Sequence, residues 1–149
     1  MMEHLTVPTF KSEIGKAEQF LKMLPQLVVE PVHRFAEGLY SRELTMPKDT
    51  IWTSRVHKHE NFAFVMTGSC TVVSENGSEL ITAPRMIKTM AGTKRILRIH
   101  EDSTWITVHA LPPELGADME TLEDYFTCGT LDEYDQDLLE QQLKLEVQL

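Results

Sequence analysis

His57-Lys58-His59-Glu60-Asn61-Phe62-Ala63-Phe64-Val65-Met66-Thr67-Gly68 is the stretch that decides how this chain is read. Two histidines stand two residues apart at the end of a strand-like run, 51–56, followed by a polar corner, a hydrophobic run and a glycine. In a strand, residues i and i+2 share a face, so His57 and His59 are expected to present their imidazoles side by side. Imidazole suits several first-row divalent metals. The plainer reading leaves both as hydrogen-bonded polar residues at a strand end, because an isolated His-x-His is common by chance.

Outward from this stretch the sequence keeps a period near two. Segments 27–30, 38–46 and 51–57 read as strands, with Pro47-Lys48-Asp49-Thr50 as the turn between the last two. Segments 62–66 and 70–74 are expected to pair around Thr67-Gly68-Ser69, and Asn76-Gly77 carries a strong hairpin signal before 79–82. Further strands follow at 85–89, 95–100 and 104–109, with turns at Ala91-Gly92-Thr93 and Glu101-Asp102-Ser103. About nine or ten short strands with no helices between them indicate an all-β antiparallel sandwich or barrel rather than βαβ units.

Helices flank the strands. Ile14, Ala17, Phe20, Leu21 and Leu24 recur near the helical period, and Pro25 stops the pattern, which predicts an amphipathic helix over 12–24. Beyond Pro112-Pro113, Met119, Leu122, Tyr125 and Phe126 suit a short helix, and Cys128-Gly129-Thr130 interrupts. An acidic helix over 131–147 then carries Leu138, Leu139, Leu143 and Val147 as its apolar stripe. The expected organisation is a helical segment 1–26, a β-barrel 27–110 and an acidic helical segment 111–149, one domain overall.

With 149 residues and 42% hydrophobic content, the chain can bury a core of its own. No apolar run approaches a membrane span or a signal peptide, so no membrane partner is expected. Cys70 and Cys128 are too few and too far apart for a disulfide framework, which points to a reducing cytoplasm. Residues 111–149 hold eleven acids and one base, whereas residues 1–110 hold twelve acids and thirteen bases, so the net charge of −9 sits at the C-terminal end. A nucleic-acid binder shows a basic surface; this chain is not expected to be one.

The His-x-His pair, the following Glu60 and Gly68 resemble the first motif of the cupin superfamily, and Met90-Ala91-Gly92-Thr93-Lys94-Arg95 resembles the second, over roughly residues 32–110. The likeness is to small single-domain cupins of phage and bacterial genomes. It implies a cupin-type jelly-roll barrel (double-stranded β-helix) and, since cupins commonly pair through their sheets, a homodimer. It also implies one divalent transition metal, Fe, Mn, Ni or Zn, held by His57, His59 and Glu60. Both motifs depart from the pattern. Counting back seven from Gly68 reaches Asn61, a weak ligand, with Glu60 next to it, and the second motif ends in Arg95 where a metal-binding cupin carries histidine.

Three functions stay open at this point. In the first, a barrel pocket lined by Arg95, His57, His59, Asn61, Tyr40 and Arg42 binds an anionic small molecule (a sugar, carboxylate or nucleotide) as a sensor or sequestering protein. Arginine matches carboxylate and phosphate groups bidentately, and a guanidinium in the cavity is costly unless Glu60, Glu43 or a ligand pairs with it. In the second, His57, His59 and Glu60 hold the metal of an isomerase, lyase or oxygenase. In the third, the pocket is vestigial and the protein is a structural or interaction protein of a phage. Lys94 and Arg98 are expected on the outer face, solvated, with His33, His100 and His109 as ordinary rim or surface histidines.

Overall fold

The computed structural model describes residues 9–148, so the first eight residues of the expected segment 1–26 lie outside the described residues. Helix α1 (Phe10–Lys22) begins two residues earlier than its periodicity predicts, because the Thr9 hydroxyl caps it by accepting from the Ser12 amide at 3.1 Å. It ends before Pro25. The expected strand at 27–30 is irregular chain instead, and the first strand is β1 (Val32–Ala36).

The strands that follow are β2 (Leu39–Met46), β3 (Ile51–Thr53), β4 (Val56–His57), β5 (Asn61–Ser74), β6 (Gly77–Thr82), β7 (Arg85–Thr89), β8 (Ile96–Ala110) and β9 (Thr127–Cys128). All pair antiparallel. The sheet order is β1-β2-β8-β5-β6, with β3 also on β8 and β7 also on β5. Two expected hairpins are corrected here. Thr67-Gly68-Ser69 and Glu101-Asp102-Ser103 are not turns; each lies inside a single long strand.

At these points β5 and β8 bend together, with register shifts between Val65 and Cys70. Each bulge increases the bend and twist of its strand. The bend lets β8 pair with β2 at one end and β3 at the other, while β5 pairs with β7 and then β6. Two continuous strands thereby serve both halves of the barrel. Gly68 sits at the inside of the bend with φ +84°, and a Cβ there would collide with Ser103 and the Asp102 carbonyl. No other residue fits this position without rearrangement.

The main core lies at one end of the barrel, where Met46, Val65, Cys70, Val72, Ile99 and Trp105 are buried together. A smaller cluster at the other end joins Tyr40 to Leu122 and Phe126 of helix α2 (Met119–Phe126). Leu122 is 1% exposed, and burial of such a side chain stabilises by roughly 2 kcal/mol. The segment after the barrel is therefore part of it: α2 plugs the barrel end, and β9 pairs with β4. Helix α3 (Leu131–Val147) keeps its predicted bounds but buries no residue, and its stripe of Leu138, Leu139, Leu143 and Val147 is exposed. Among the described residues no helix is long and apolar enough to cross a membrane.

Candidate functional site

The barrel encloses a cavity of about 470 Å³ between β2, β8, the β3–β4 segment and α2. Its character follows from strand register. Along β2 the inward positions are Tyr40, Arg42, Leu44 and Met46; along β8, paired with them, they are His109, Thr107, Trp105 and Ser103. The cavity-lining members of both series pass from polar to apolar as they run away from α2, Tyr40 and Arg42 to Leu44 and Met46, and His109 and Thr107 to Trp105; Ser103 is buried beyond the lining. On the facing wall Trp52 pairs with Leu97 at the apolar end, and Ser54, Arg95 and His57 follow toward the polar end.

His57 is held from three sides. Its amide donates to the Thr93 carbonyl at 3.0 Å, its carbonyl accepts from the Gly92 amide at 2.7 Å, and it pairs with Thr127 of β9. The two motif regions thus meet at this residue. Asn61 Nδ2 faces His57 Nδ1 and the His59 carbonyl, each at 3.3 Å. The carbonyl can only accept, which fixes the amide orientation and makes His57 Nδ1 the acceptor, so the ring proton sits on Nε2. Asn61 Oδ1 is buried without a hydrogen-bond partner among the described residues.

His109, expected to be an ordinary rim histidine, is instead buried on the cavity wall, its ring 6.4 Å from that of His57 and 5.6 Å from that of Tyr40. Its Nε2 meets Thr107 Oγ1 at 2.9 Å. Burial pushes both His57 and His109 down to about 4; Arg95 is the next cause for His57 and Arg42 for His109. Both imidazoles are therefore neutral at pH 7. His33 also reaches the cavity, bonded through Nδ1 to Tyr40 Oη at 2.6 Å, and burial lowers its pKa as well. The inward alternation of β8 from Leu97 to His109 was the signal that could have placed His109 from the sequence.

His59 and Glu60 do not join this group. Strand β4 ends at His57, and the chain bends through Lys58–Glu60, which breaks the alternation. His59 is exposed and stacks on Tyr125 at 4.6 Å, while Glu60 is exposed and lies 3.8 Å from Lys88 on the outside. The i, i+2 pair that lines the cavity is Arg55 and His57, not His57 and His59. The expected ligand set of His57, His59 and Glu60 is thus not assembled. Among the described residues no group of three His, Cys, Asp or Glu is placed to hold a metal ion. Among the described residues the cavity is lined by three imidazoles (His33, His57, His109), three guanidiniums and one carboxylate, Glu123, which pairs with Arg55 at 3.1 Å; the imidazoles are not grouped around a common point, so this arrangement does not fit a divalent cation.

Arg95 lies on the cavity wall, its amide bonded to Ser54 Oγ at 2.9 Å and its Nη2 to Thr89 Oγ1 at 3.0 Å. Burial lowers its pKa. Neither expected partner reaches it: Glu43 pairs with Arg34 at 3.5 Å and Glu60 with Lys88. Lys94, expected to be solvated, is 3% exposed; its Nζ lies 2.9 Å from Glu18 of α1 and donates to the Gly129 carbonyl at 2.7 Å. Arg98 is exposed, and Cys70 and Cys128 are buried free thiols whose pKa values burial raises.

No protein-family model matches the sequence, and no curated protein matches it. Among solved structures, ectoine synthase from P. lautus aligns over 67% of this chain and 75% of its own, with 16% identity and a TM-score of 0.52. The fold is a cupin barrel. A cupin-2 domain protein from Shewanella frigidimarina aligns over 64% of this chain and 92% of its own at 9% identity, TM-score 0.47. The EutQ protein of Clostridium difficile aligns over 62% and 69% at 15% identity, TM-score 0.47. At such identities the likeness extends to the fold alone.

Proposed function

We propose that this cupin binds a small anionic molecule in its barrel cavity, as a sensor or sequestering protein. The observation that carries the reading is Arg95: a guanidinium on the cavity wall with no carboxylate at ion-pair distance among the described residues. An unpaired buried cation is costly, and an anion entering the cavity removes that cost while offering two parallel hydrogen bonds. Arg42, without a carboxylate partner among the described residues, adds positive potential at the polar end. The open volume of about 470 Å³ supports binding over a filled, vestigial barrel. The metal-enzyme reading has less support, because neither His59 nor Glu60 is among the residues lining the cavity.

Titration calorimetry with succinate, gluconate and inorganic phosphate, on wild type and Arg95→Gln, tests this. At least one anion is expected to bind with Kd below about 1 mM and to lose at least about tenfold in the variant. Equal affinity in the two proteins, or no binding of any anion to wild type, sinks the reading.

A further inference from the structure

The cavity is not uniformly polar, and its polarity is graded along its length. Its apolar end is formed by Leu44, Met46, Trp52, Leu97 and Trp105, all contiguous with the main core. The Trp52 indole N–H is already spent on Thr50 Oγ1 at 2.7 Å. The Trp105 N–H has no hydrogen-bond partner among the described residues, but the atom is fully buried beside the Cys70 thiol and is not open to the cavity. These rings therefore offer the cavity their hydrocarbon surface and no accessible donor. At the other end stand Arg42, Arg95, His57 and His109, beside the ring series His33–Tyr40–His109, spaced at 5.8 and 5.6 Å.

The hydrogen-bonding sense of the wall is equally one-sided. The charged groups are three guanidiniums, and the one carboxylate, Glu123, is already occupied by Arg55. Among the described residues no Asp, Asn or Gln lines the cavity. A sugar or a nucleobase carries several hydroxyl or amino donors that need acceptors when buried; this wall supplies hardly any beyond Ser, Thr and imidazole. A ligand that fits must concentrate its polarity at one end, as acceptors, and be apolar elsewhere.

Resting on the anion-binding reading above, we infer that the ligand is an aromatic monocarboxylate, its ring lying against Trp52 and Trp105 and its carboxylate meeting Arg95 beside His57. Flat rings are favoured at the apolar end because offset or edge contacts between aromatic groups add to simple burial. The carboxylate needs one bidentate guanidinium, and Arg95 is the partly buried one with no carboxylate partner.

Trp52 and Trp105 are the only two tryptophans of the chain and both line the cavity, so intrinsic fluorescence reports occupancy directly. The experiment titrates the full chain with phenylacetate, phenylacetamide, gluconate and inorganic phosphate, with calorimetry as a check on the two probes lacking a ring. Phenylacetate is expected to bind at least about tenfold more tightly than each of the other three. Arg95→Gln should lose about tenfold or more for phenylacetate and little for phenylacetamide. Trp52→Leu, at the partly buried end of the ring contact, should weaken phenylacetate and leave phosphate unchanged. Gluconate or phosphate binding as tightly as phenylacetate, in an Arg95-dependent way, overturns the aromatic assignment and leaves the anion site standing. Phenylacetamide binding as tightly as phenylacetate, or no binding of any probe up to about 10 mM, overturns both.

Discussion

Lys94 and Arg95 are neighbours in the chain, and their side chains leave it on opposite sides. Lys94 enters a junction behind the barrel, where Glu18 of α1 and the carbonyl of Gly129 complete its coordination. Arg95 enters the cavity and meets one hydroxyl, that of Thr89. Lys94 is fully withdrawn from water and Arg95 partly, yet among the described residues only Lys94 has its charge answered. The contrast separates two uses of a buried cation. The first ties three segments together; the second has no carboxylate at ion-pair distance among the described residues and is the charge that the proposed anion would answer.

Four measurements can break or sharpen that contrast. Of the single substitutions, Lys94→Ala should have the largest effect, destabilising by about 3–5 kcal/mol in denaturant titrations, because the partly buried Glu18 is left uncompensated. Adding Glu18→Leu to Lys94→Met should recover part of the loss; no recovery would mean that packing rather than charge carries the junction. Acid comes next. His57 and His109 titrate at about 4 in the folded chain and near 6.5 when unfolded, so the unfolded chain binds more protons in between. Their contribution is complete above pH ~6.5 and is lost as pH falls toward ~4, on the order of 3 kcal/mol for each ring. The double variant His57→Gln/His109→Gln should flatten that part of the pH–stability curve, and an unchanged slope would deny the burial of both rings.

Arg95→Met should change stability by no more than about 1 kcal/mol, in either direction, because removing an unpaired buried cation also removes its desolvation cost. A loss comparable to that of Lys94→Ala would mean that Arg95 is structural, and the two neighbours would then be alike. The smallest effect belongs to the open cleft of about 560 Å³ outside the barrel, where Lys58 and Asp137 lie 3.5 Å apart. Asp137→Asn there should cost about 0.5 kcal/mol, as exposed pairs do.

The sequence made these elements legible because periodicity is local: the strand 85–89, the helix 131–147 and the Asn76-Gly77 turn agree with the structure. The two long strands were not legible. A glycine and a polar triplet look the same whether the chain reverses or merely bends, and only the pairing with β2, β3, β6 and β7 distinguishes the cases. The site divides in the same way. His57, Tyr40 and Arg42 could be proposed from strand alternation, and Arg95 from the resemblance to the second cupin motif. His59 and Glu60 could not be placed, since the bend after β4 depends on Lys58 being drawn to the Phe126 carbonyl and to Asp124, which lie far off in sequence. Lys94 was misread for a related reason: its partners come from both ends of the chain.

The pairing of β9 with β4 has a practical side for anyone cutting or grafting this chain. A fragment ending at Ala110 would look complete by strand count, but it would be a bowl without its cover: Tyr40 and His109 would face water, and His57 would lose the Thr127 strand beside it. The smallest portable vessel extends past Gly129, whose carbonyl Lys94 needs. The outer half of α3, from Leu138 onward, contributes no buried side chain and is the natural place for a fusion or a tag.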